Sequence, residues 1–291
     1  MAKIFLFLTR IFVALTMFFT GALFGGKVSA NPVDPIADGA DIRVVSFNLR
    51  CTGTGKTSVG YRAPLMAAQL QELNADSIGV QEANARWMTY LDDHLENYDY
   101  VGVGRTNGRN LGEFSAIFYR SDKYKVVDSG TFWLSKTPEK AGTKDWGSAN
   151  VRICTWAVLE NKATHERYVH FNTHLDHISS LARENQMKVL LSKMDEFVGK
   201  YPIVLTGDFN DFSDSAMYAE ATDVLNDARL LAPVTTDSGT FHNYGARNPA
   251  EIIDFVFVSD EIKPLVYHVI DDKLKDVYLS DHYGIYVDLK L

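Results

Sequence analysis

Short apolar runs typical of β-strands outnumber helical stretches in this sequence, and this pattern constrains the fold more than any other feature. Several of the runs are apolar at nearly every position, so a sheet built from them needs cover on both faces. The runs lie at 42–48, 77–81, 114–120, 151–160, 168–173, 202–206, 252–258, 265–270 and 284–291. The pattern predicts an α/β (α+β) protein in which two sheets stack and helices lie outside.

Four helical stretches separate these runs, at 63–73, 84–95, 181–199 and 215–225. The third keeps apolar residues mostly at helical spacing from Leu181 to Met194, which is typical of an amphipathic helix lying on a sheet. After residue 41 the chain shows no low-complexity linker or internal repeat. We therefore expect one domain over 41–291.

Four irregular segments interrupt the strands and helices, at 52–62, 102–112, 135–150 and 237–250. They are rich in Gly, Asn and Lys, which do not build a core. Loops of this length in a compact domain usually carry function. We expect these segments to form the rim of a functional site.

The first thirty residues have the organisation of a secretory signal peptide. Lys3 and Arg10 precede an apolar stretch at 11–24, and small residues end the segment at Ala30. Fourteen apolar residues fall short of the roughly 20 needed to span a bilayer, which favours a cleaved signal over a membrane anchor. We expect cleavage after Ala30, a short leader at 31–40, no stable membrane insertion, and a secreted or periplasmic protein.

Composition and charge exclude several classes of protein. With 46% hydrophobic and 23% charged residues, the chain is neither disordered nor collagen-like, and two cysteines do not make a disulfide scaffold. Both Cys51 and Cys154 lie in apolar runs, where free thiols are common, so we expect no bridge. The whole chain has a net charge of −8, and without the three basic residues of the signal segment it would carry −11. This acidity argues against a broad surface for nucleic acid.

Polar side chains stand where apolar strands stop. They comprise four carboxylates, two imidazoles and two carboxamides: Asn48, Glu82, His174, Asp208, Asn210, Asp254, Asp281 and His282. If the strands deliver their ends to one rim of the sandwich, these groups converge. Hard oxygen donors without a nearby thiol suit Mg²⁺, Mn²⁺ or Ca²⁺ better than Zn²⁺.

These residue types fit the hydrolysis of a phosphate ester. A divalent cation polarises a phosphoryl oxygen, and a histidine oriented by an acid takes a proton from water. The carboxamides of Asn48 and Asn210 can donate hydrogen bonds to phosphate oxygens as charge develops there. No Ser or Cys nucleophile is placed in the cluster, so we predict direct attack of water without a covalent intermediate.

Seven segments occur in an order that resembles a known family: SFNLR at 46–50, VQE at 80–82, GEF at 112–114, NTH at 172–174, TGDFN at 206–210, IDFVF at 253–257 and SDH at 280–282. The chain is similar in these motifs to the endonuclease/exonuclease/phosphatase superfamily, which includes deoxyribonuclease I, abasic-site endonucleases, sphingomyelinases, inositol-polyphosphate phosphatases and deadenylases. It looks most like an exported bacterial subgroup. The resemblance implies a four-layer α/β/β/α sandwich of the deoxyribonuclease I type.

The resemblance also implies a metal site. Glu82 resembles the principal ligand of Mg²⁺ or Mn²⁺, helped by Asn48 and by Asp281. Asp208 and Asn210 resemble the pair that positions the nucleophile and stabilises the transition state.

The remaining roles implied by the resemblance concern proton transfer and phosphate binding. His282 resembles a general base held by Asp254. His174 resembles a second catalytic imidazole, held by Glu113. Two further positions, Arg50 and Arg152, match arginines that contact substrate phosphate.

The residues leave the substrate open. The family's minor-groove contacts have Asn84 and Leu111 as counterparts here, which argues against DNA binding of that kind. An apolar hairpin at 130–134 would suit a lipid-active enzyme if it were exposed, but we expect Phe132 and Trp133 to be core. We predict a monomer acting on a small phosphorylated metabolite. A nuclease acting on DNA or RNA, a sphingomyelinase-like phosphodiesterase and a non-catalytic binding protein are the alternatives.

Overall fold

The computed structural model describes residues 28–248 and 250–291. Residues 1–27, which hold most of the predicted signal peptide, lie outside the described residues. The segment expected to be a leader contacts the domain: the Asn31 amide donates to Gln69, the Ala37 amide donates to Asp288, and Val33 packs against the core. No helix in the described part of the chain has the length and apolar character needed to cross a membrane.

Two sheets stack at the centre of the molecule, with their strands numbered here along the chain. In spatial order, the first sheet contains β10 (Val234–Thr235), β12 (Lys263–Ile270), β13 (Gly284–Lys290), β1 (Ile42–Asn48), β2 (Ser77–Ala83), β4 (Phe114–Arg120) and β3 (Tyr98–Val101). The second contains β5 (Tyr124–Trp133), β6 (Ile153–Asn161), β7 (Arg167–His174), β8 (Ile203–Asp208), β11 (Asp254–Val258) and β9 (Asn226–Asp227).

Helices cover the outer face of each sheet. Helices α1 (Val59–Leu73) and α2 (Ala85–His94) pack on the first sheet, and α3 (Ser180–Met194) and α4 (Ala216–Thr222) pack on the second. A short α5 (Ala228–Leu231) follows β9. One apolar cluster lies beneath each helical layer, and a third lies between the sheets. The predicted four-layer α/β/β/α sandwich is confirmed.

The predicted strands and helices are present with shifted ends. Helix α1 begins at Val59, four residues early, because the Ser58 side chain accepts a hydrogen bond from the Tyr61 amide and caps it. Strands β3 and β5 were not predicted, because both lie at sheet edges where fewer than half of their residues are buried. Runs of apolar residues therefore identified the central strands and missed the more exposed edge strands.

The connections bring the polar strand ends to one edge. Strands β1 and β2 run parallel and are joined through α1, and β7 and β8 run parallel and are joined through α3. Parallel strands end at the same edge of their sheet, so Asn48 lies near Glu82 and His174 lies beside Asp208. The antiparallel strand β11 begins at this edge, with Asp254 opposite Asp208.

A layer of polar side chains lies between the sheets below this edge. The two ring nitrogens of His170 lie 2.9 Å from the Ser77 hydroxyl and 2.8 Å from the Thr206 hydroxyl. Beside it, the Asn172 carboxamide donates to two backbone carbonyls and accepts a hydrogen bond from Gln81. All of these side chains are buried and each makes at least one hydrogen bond within the layer, so the layer fixes how the two sheets face each other.

Candidate active site

Asp208 is the centre of the polar cluster. Its Oδ2 atom accepts a hydrogen bond of 2.8 Å from the Asn48 carboxamide of the other sheet. The same oxygen lies 3.4 Å from His174 Nε2 and 3.8 Å from His282 Nε2, so it stands between two imidazoles. Burial raises the pKa of Asp208, and the nearby charge of Asp254 raises it further.

His282 and Asp254 are in direct contact. The His282 Nδ1 atom lies 2.8 Å from Asp254 Oδ2, and both side chains are buried. Burial alone would lower the pKa of His282, but the charges of Asp254 and Asp208 outweigh it and raise the pKa. The contact fixes the ring so that Nε2 points toward Asp208.

Glu82 stands at an irregularity between β2 and β4, where its backbone adopts a left-handed conformation with φ of 53°. The turn directs its carboxylate to Asn48 Nδ2, at 3.3 Å, and to the Cys51 amide, at 3.0 Å. Burial alone would raise the pKa of Glu82. The hydrogen bonds from Cys51 and the charge of Arg50 outweigh burial and hold the pKa below its usual value, so Glu82 is ionised.

Arg50 lies between two of the predicted metal ligands. Its guanidinium is 3.8 Å from Glu82 and 3.4 Å from Asp281, although the side chain is 41% exposed. In this structure Arg50 therefore neutralises the two carboxylates instead of reaching outward toward a phosphate.

A residue missed by the sequence reasoning holds the loop that carries Arg50. Arg62 is fully buried and donates hydrogen bonds to five backbone carbonyls, among them those of Leu49 and Arg50 at 2.6 and 2.7 Å. It was placed in a predicted loop, but it lies on the buried face of α1 with Val59 and Met66. An arginine at that helical spacing was the signal that could have identified it.

The expectation that Glu113 holds His174 is wrong. Glu113 instead accepts two hydrogen bonds from Arg105, at 2.6 and 2.9 Å. A guanidinium satisfies both carboxylate oxygens at once, which a single neutral imidazole nitrogen cannot do. The Nδ1 atom of His174 is buried without a hydrogen-bond partner among the described residues. Burial lowers the pKa of His174, and the charge of Arg152 lowers it further, so this ring is neutral.

Arg152 lies deep beside His174 and is only 3% exposed. One of its terminal nitrogens is 3.1 Å from His177 Nδ1. Its Nε and Nη1 atoms have no hydrogen-bond partner in the described ranges. Burial lowers the pKa of Arg152, but a guanidinium stays charged at any physiological pH. Arg152 is therefore a buried arginine with unused hydrogen-bond donors next to the polar cluster.

Asn210 follows β8 in a left-handed conformation with φ of 51°. Its backbone amide donates to Asp208 Oδ1, and one hydrogen of its carboxamide is used by the Leu175 carbonyl at 3.1 Å. Only the second carboxamide hydrogen is left to reach a substrate. Asn210 therefore also orients Asp208.

The donor set fits a divalent cation. Glu82 and Asp281 already share one positive charge, that of Arg50, and both offer hard oxygen atoms. Asn48 uses its oxygen to accept the Arg50 amide and turns its nitrogen toward the carboxylates, so it serves here as a hydrogen-bond donor. Among the described residues, Asp208, Asp254 and His282 form a group of three whose ligand atoms lie within 4.8 Å of one another, and this group could also hold a cation.

These side chains surround a cleft of about 360 Å³. Its lining combines the catalytic cluster with a basic side: Arg50, Cys51, Thr52, Glu82, Arg105, Glu113, Asn150, Arg152, His174, His177, Asp208, Asn210, Phe241, Ile253 and His282. All four predicted loops contribute to this wall, through Thr52, Arg105, Asn150 and Phe241. The volume is near the lower end of the range for small-molecule sites.

Two further expectations concern the cleft and its surroundings. Both Cys51 and Cys154 are free thiols, as expected. Burial and the charge of Glu82 raise the pKa of Cys51, so this thiol at the cleft wall is a poor nucleophile. Phe132 and Trp133 are buried, so the hairpin at 130–134 is core and offers no apolar tip to a lipid surface.

The fold, with carboxylates and histidines gathered at one edge of two stacked sheets, defines a phosphoesterase-type sandwich. The chain belongs to the endonuclease/exonuclease/phosphatase family, which it matches over residues 45–282. Members of this family are hydrolases that act on phosphate esters, nucleases among them.

Solved structures of Bacteroides proteins are similar over most of the chain. An endonuclease/exonuclease/phosphatase from Bacteroides vulgatus is 36% identical, with a TM-score of 0.82 over 86% of this chain and 98% of that one. A mannosyl-6-phosphatase from Bacteroides thetaiotaomicron is 34% identical, with a TM-score of 0.81 over 86% of this chain and 100% of that one.

The chain also matches a curated exoribonuclease. The Ccr4 subunit of the CCR4-Not complex from Phaeosphaeria nodorum is 25% identical in an alignment of 246 residues that covers 74% of this chain. The match covers 40% of that protein, so the chain spans less than half the length of the curated relatives that it matches.

Proposed function

We propose that this protein is a divalent-cation-dependent phosphatase that hydrolyses a phosphate monoester of a sugar by direct attack of water. The observation that carries the proposal is the position of Asp208 between two imidazoles in a cleft of about 360 Å³. This volume suits a small phosphorylated molecule better than a polymer. The mannosyl-6-phosphatase that shares 34% identity supports a sugar phosphate as the substrate.

In the proposed reaction the residues at the end of β8 and β11 act on the water. Asp254 orients His282 so that Nε2 faces the cleft, and Asp208 positions the water. The carboxylate charges that raise the pKa of His282 would be offset by a cation bound beside them, which would leave the ring neutral and able to take a proton from that water. A divalent cation held by Glu82 and Asp281 would supply positive charge against the phosphoryl oxygens.

On the other side of Asp208, neutral His174 donates a hydrogen bond through Nε2 to a phosphoryl oxygen as charge develops there. The guanidinium of Arg152 adds a fixed positive charge beside it. Asn210 contributes its remaining carboxamide hydrogen to the same region.

A substrate panel tests the proposal. The purified protein is assayed with Mg²⁺ or Mn²⁺ against sugar phosphates, inositol phosphates, RNA, plasmid DNA and sphingomyelin, with and without EDTA. We expect EDTA-sensitive release of phosphate from a sugar phosphate. Cleavage of RNA or DNA alone would overturn the proposal in favour of a nuclease, the function that the similarity to the Ccr4 exoribonuclease supports. No turnover of any member would favour a binding protein.

Two variants test the site within the same assay. His282→Ala is expected to lose at least 100-fold in kcat, because it removes the proton acceptor. Glu82→Gln is expected to need at least tenfold more Mg²⁺ for half-maximal activity, because one anionic ligand is lost. The matched control is His165→Ala, a histidine 74% exposed and outside the cleft, which should keep wild-type activity. Normal activity of His282→Ala would contradict the assigned roles.

We further propose that the protein is exported and cleaved after Ala30, which the signal-like segment supports. N-terminal sequencing of protein secreted into the periplasm or medium tests this. A mature chain that begins at Asn31 is expected, and retention of Met1 in a cytoplasmic product would contradict it.

A further inference from the structure

The cleft has a second polar side that the proposed chemistry does not use. Arg105 and Glu113 form a pair at its wall, with side chains 14% and 21% exposed, and Asn150 and His177 line the cleft near Arg152. Resting on the proposed function, we propose that this side is a specificity subsite that binds the hydroxyl groups of the sugar from which phosphate is cleaved.

The order of strands places this subsite on the leaving-group side. Across the second sheet the order is β11, β8, β7 and β6, which brings Asp254, Asp208, His174 and then Arg152 to the site in sequence along one edge. In a phosphoryl transfer the attacking and leaving oxygens lie roughly in line on opposite sides of phosphorus. Water activated at His282, beside Asp254, therefore expels the leaving group toward His174 and Arg152.

The subsite is built and held in place by buried hydrogen bonds. Asp176 is fully buried, and its carboxylate accepts hydrogen bonds from the Ser148 hydroxyl and from the amides of Ala149 and Ile178, at 2.8 to 3.0 Å. It thereby ties the loop ending at Asn150 to the turn that contains His177. Asp176 is thus a positioning residue for this wall of the cleft.

Unused hydrogen-bonding groups in this wall point to a ligand. Arg152 is 3% exposed, and in the described part of the chain its Nη1 atom makes no hydrogen bond, while its Nε lies 4.0 Å from Asp176 without a hydrogen bond. Buried donors of this kind are rare in folded proteins because leaving them unpaired is costly. Arg105, which also lines the cleft, uses two of its five guanidinium hydrogens in the pair with Glu113.

Charge decides which leaving group fits. Arg105 and Arg152 carry two positive charges, and Glu113 and Asp176 carry two negative charges in the same wall, so they balance. A second phosphate or a carboxylate on the substrate would find no excess positive charge there. Fixed donors and acceptors without net charge suit several neutral hydroxyl groups, as a hexose presents them.

Kinetics with two leaving groups test the subsite. We compare kcat/KM for mannose 6-phosphate with kcat/KM for 4-nitrophenyl phosphate, whose leaving group has no sugar hydroxyls. Arg105→Lys keeps the charge opposite Glu113 but loses the planar fork, so the ratio of the two values should fall about 10- to 100-fold. The matched control is Arg109→Lys, an exposed arginine of the same loop, which should leave the ratio unchanged.

Three outcomes would overturn the subsite. An equal loss on both substrates in Arg105→Lys would show that Arg105 serves the phosphate and not the sugar. Unchanged kcat/KM values for both substrates would show that it does not contact the substrate. Thermal unfolding shows whether Arg105→Lys is folded. If it is not, Asn150→Ala replaces it, because no hydrogen bond of the Asn150 side chain is seen in the described ranges. An unchanged ratio in Asn150→Ala would equally overturn the proposal.

Failure of the proposed function is distinguished by a binding experiment. If the wild-type protein hydrolyses neither substrate, the phosphatase proposal falls. Calorimetric titration of mannose 6-phosphate into the wild-type protein and into Arg105→Lys then tests the subsite alone. Binding at least tenfold weaker in the variant supports it, whereas equal binding or none in the wild type overturns it.

Discussion

Acid should destabilise this protein through His170, which lies between the two sheets. Burial lowers the pKa of His170 to about 3 from its ordinary 6.5. Its two ring nitrogens face hydroxyl groups of Ser77 and Thr206, one from each sheet, and no carboxylate of the described residues stabilises a proton on the ring. At pH values between these two pKa values, His170 is therefore protonated in the unfolded chain and neutral in the folded chain.

The sign and size of the effect follow from these two pKa values. The folded pKa lies below the unfolded one, so the contribution of His170 to stability is complete above pH 6.5 and is lost as the pH falls toward 3. Between pH 8 and pH 5 the unfolded chain gains a proton that the folded chain lacks, which costs about 2 kcal/mol. The loss levels off at about 5 kcal/mol once the pH passes below 3.

Urea unfolding at pH 8 and pH 5 measures this effect in the wild-type protein and in His170→Gln. The variant keeps a polar side chain between the hydroxyls but cannot be protonated. We expect its free energy of unfolding to fall by about 2 kcal/mol less than that of the wild type over this interval. His165→Gln, at a 74% exposed position, is the control and should lose as much as the wild type. An equal loss in His170→Gln and in the wild type would refute the reasoning.

Three other substitutions test the fold and the site. Gly79→Ala should lower the free energy of unfolding by about 1–3 kcal/mol in urea titrations, because a Cβ atom there would clash with the Thr206 hydroxyl and approach Asn172 Oδ1 to 2.7 Å. Arg62→Lys should cost about 2–4 kcal/mol in the same assay, because a lysine cannot replace hydrogen bonds to five carbonyls. Asp254→Asn should lower kcat for the preferred phosphate ester about 10²- to 10⁴-fold while the thermal midpoint shifts by only a few degrees, because His282 loses the charge that orients it.

The part of the site that depends on the backbone of the sheets was predictable from the sequence. Asp208 was expected near His174 because each ends an apolar run, and parallel pairing places the two residues directly opposite each other. The resemblance implied that Asp254 holds His282, and the two are in contact although 28 positions separate them along the chain. The ends of apolar runs can be read from a sequence, so the meeting of Asp208 and His174 follows from the parallel pairing of their strands.

Side chains carried by loops were not predictable in the same way. Glu113 lies directly before β4, but its partner comes from a loop whose path no periodic pattern describes. That path places Arg105 within hydrogen-bonding reach of Glu113, since the Arg105 amide donates to the Glu113 carbonyl and the Trp133 ring donates to the Arg105 carbonyl. Arg105 is charged and donates two hydrogen bonds to Glu113, so the Glu113 carboxylate pairs with Arg105 and not with His174.

Strands and loops contribute different parts of the site. Among the groups that act on water, Asp208 and Asp254 are fixed by the register of β8 and β11, and His282 is held by its contact with Asp254. The groups at the leaving-group wall, Arg105, Asn150 and His177, all lie on loops or turns. Exchanging the loop at 102–112 for one without an arginine should therefore change which phosphate ester is cleaved while water is still activated by the same three side chains, Asp208, Asp254 and His282.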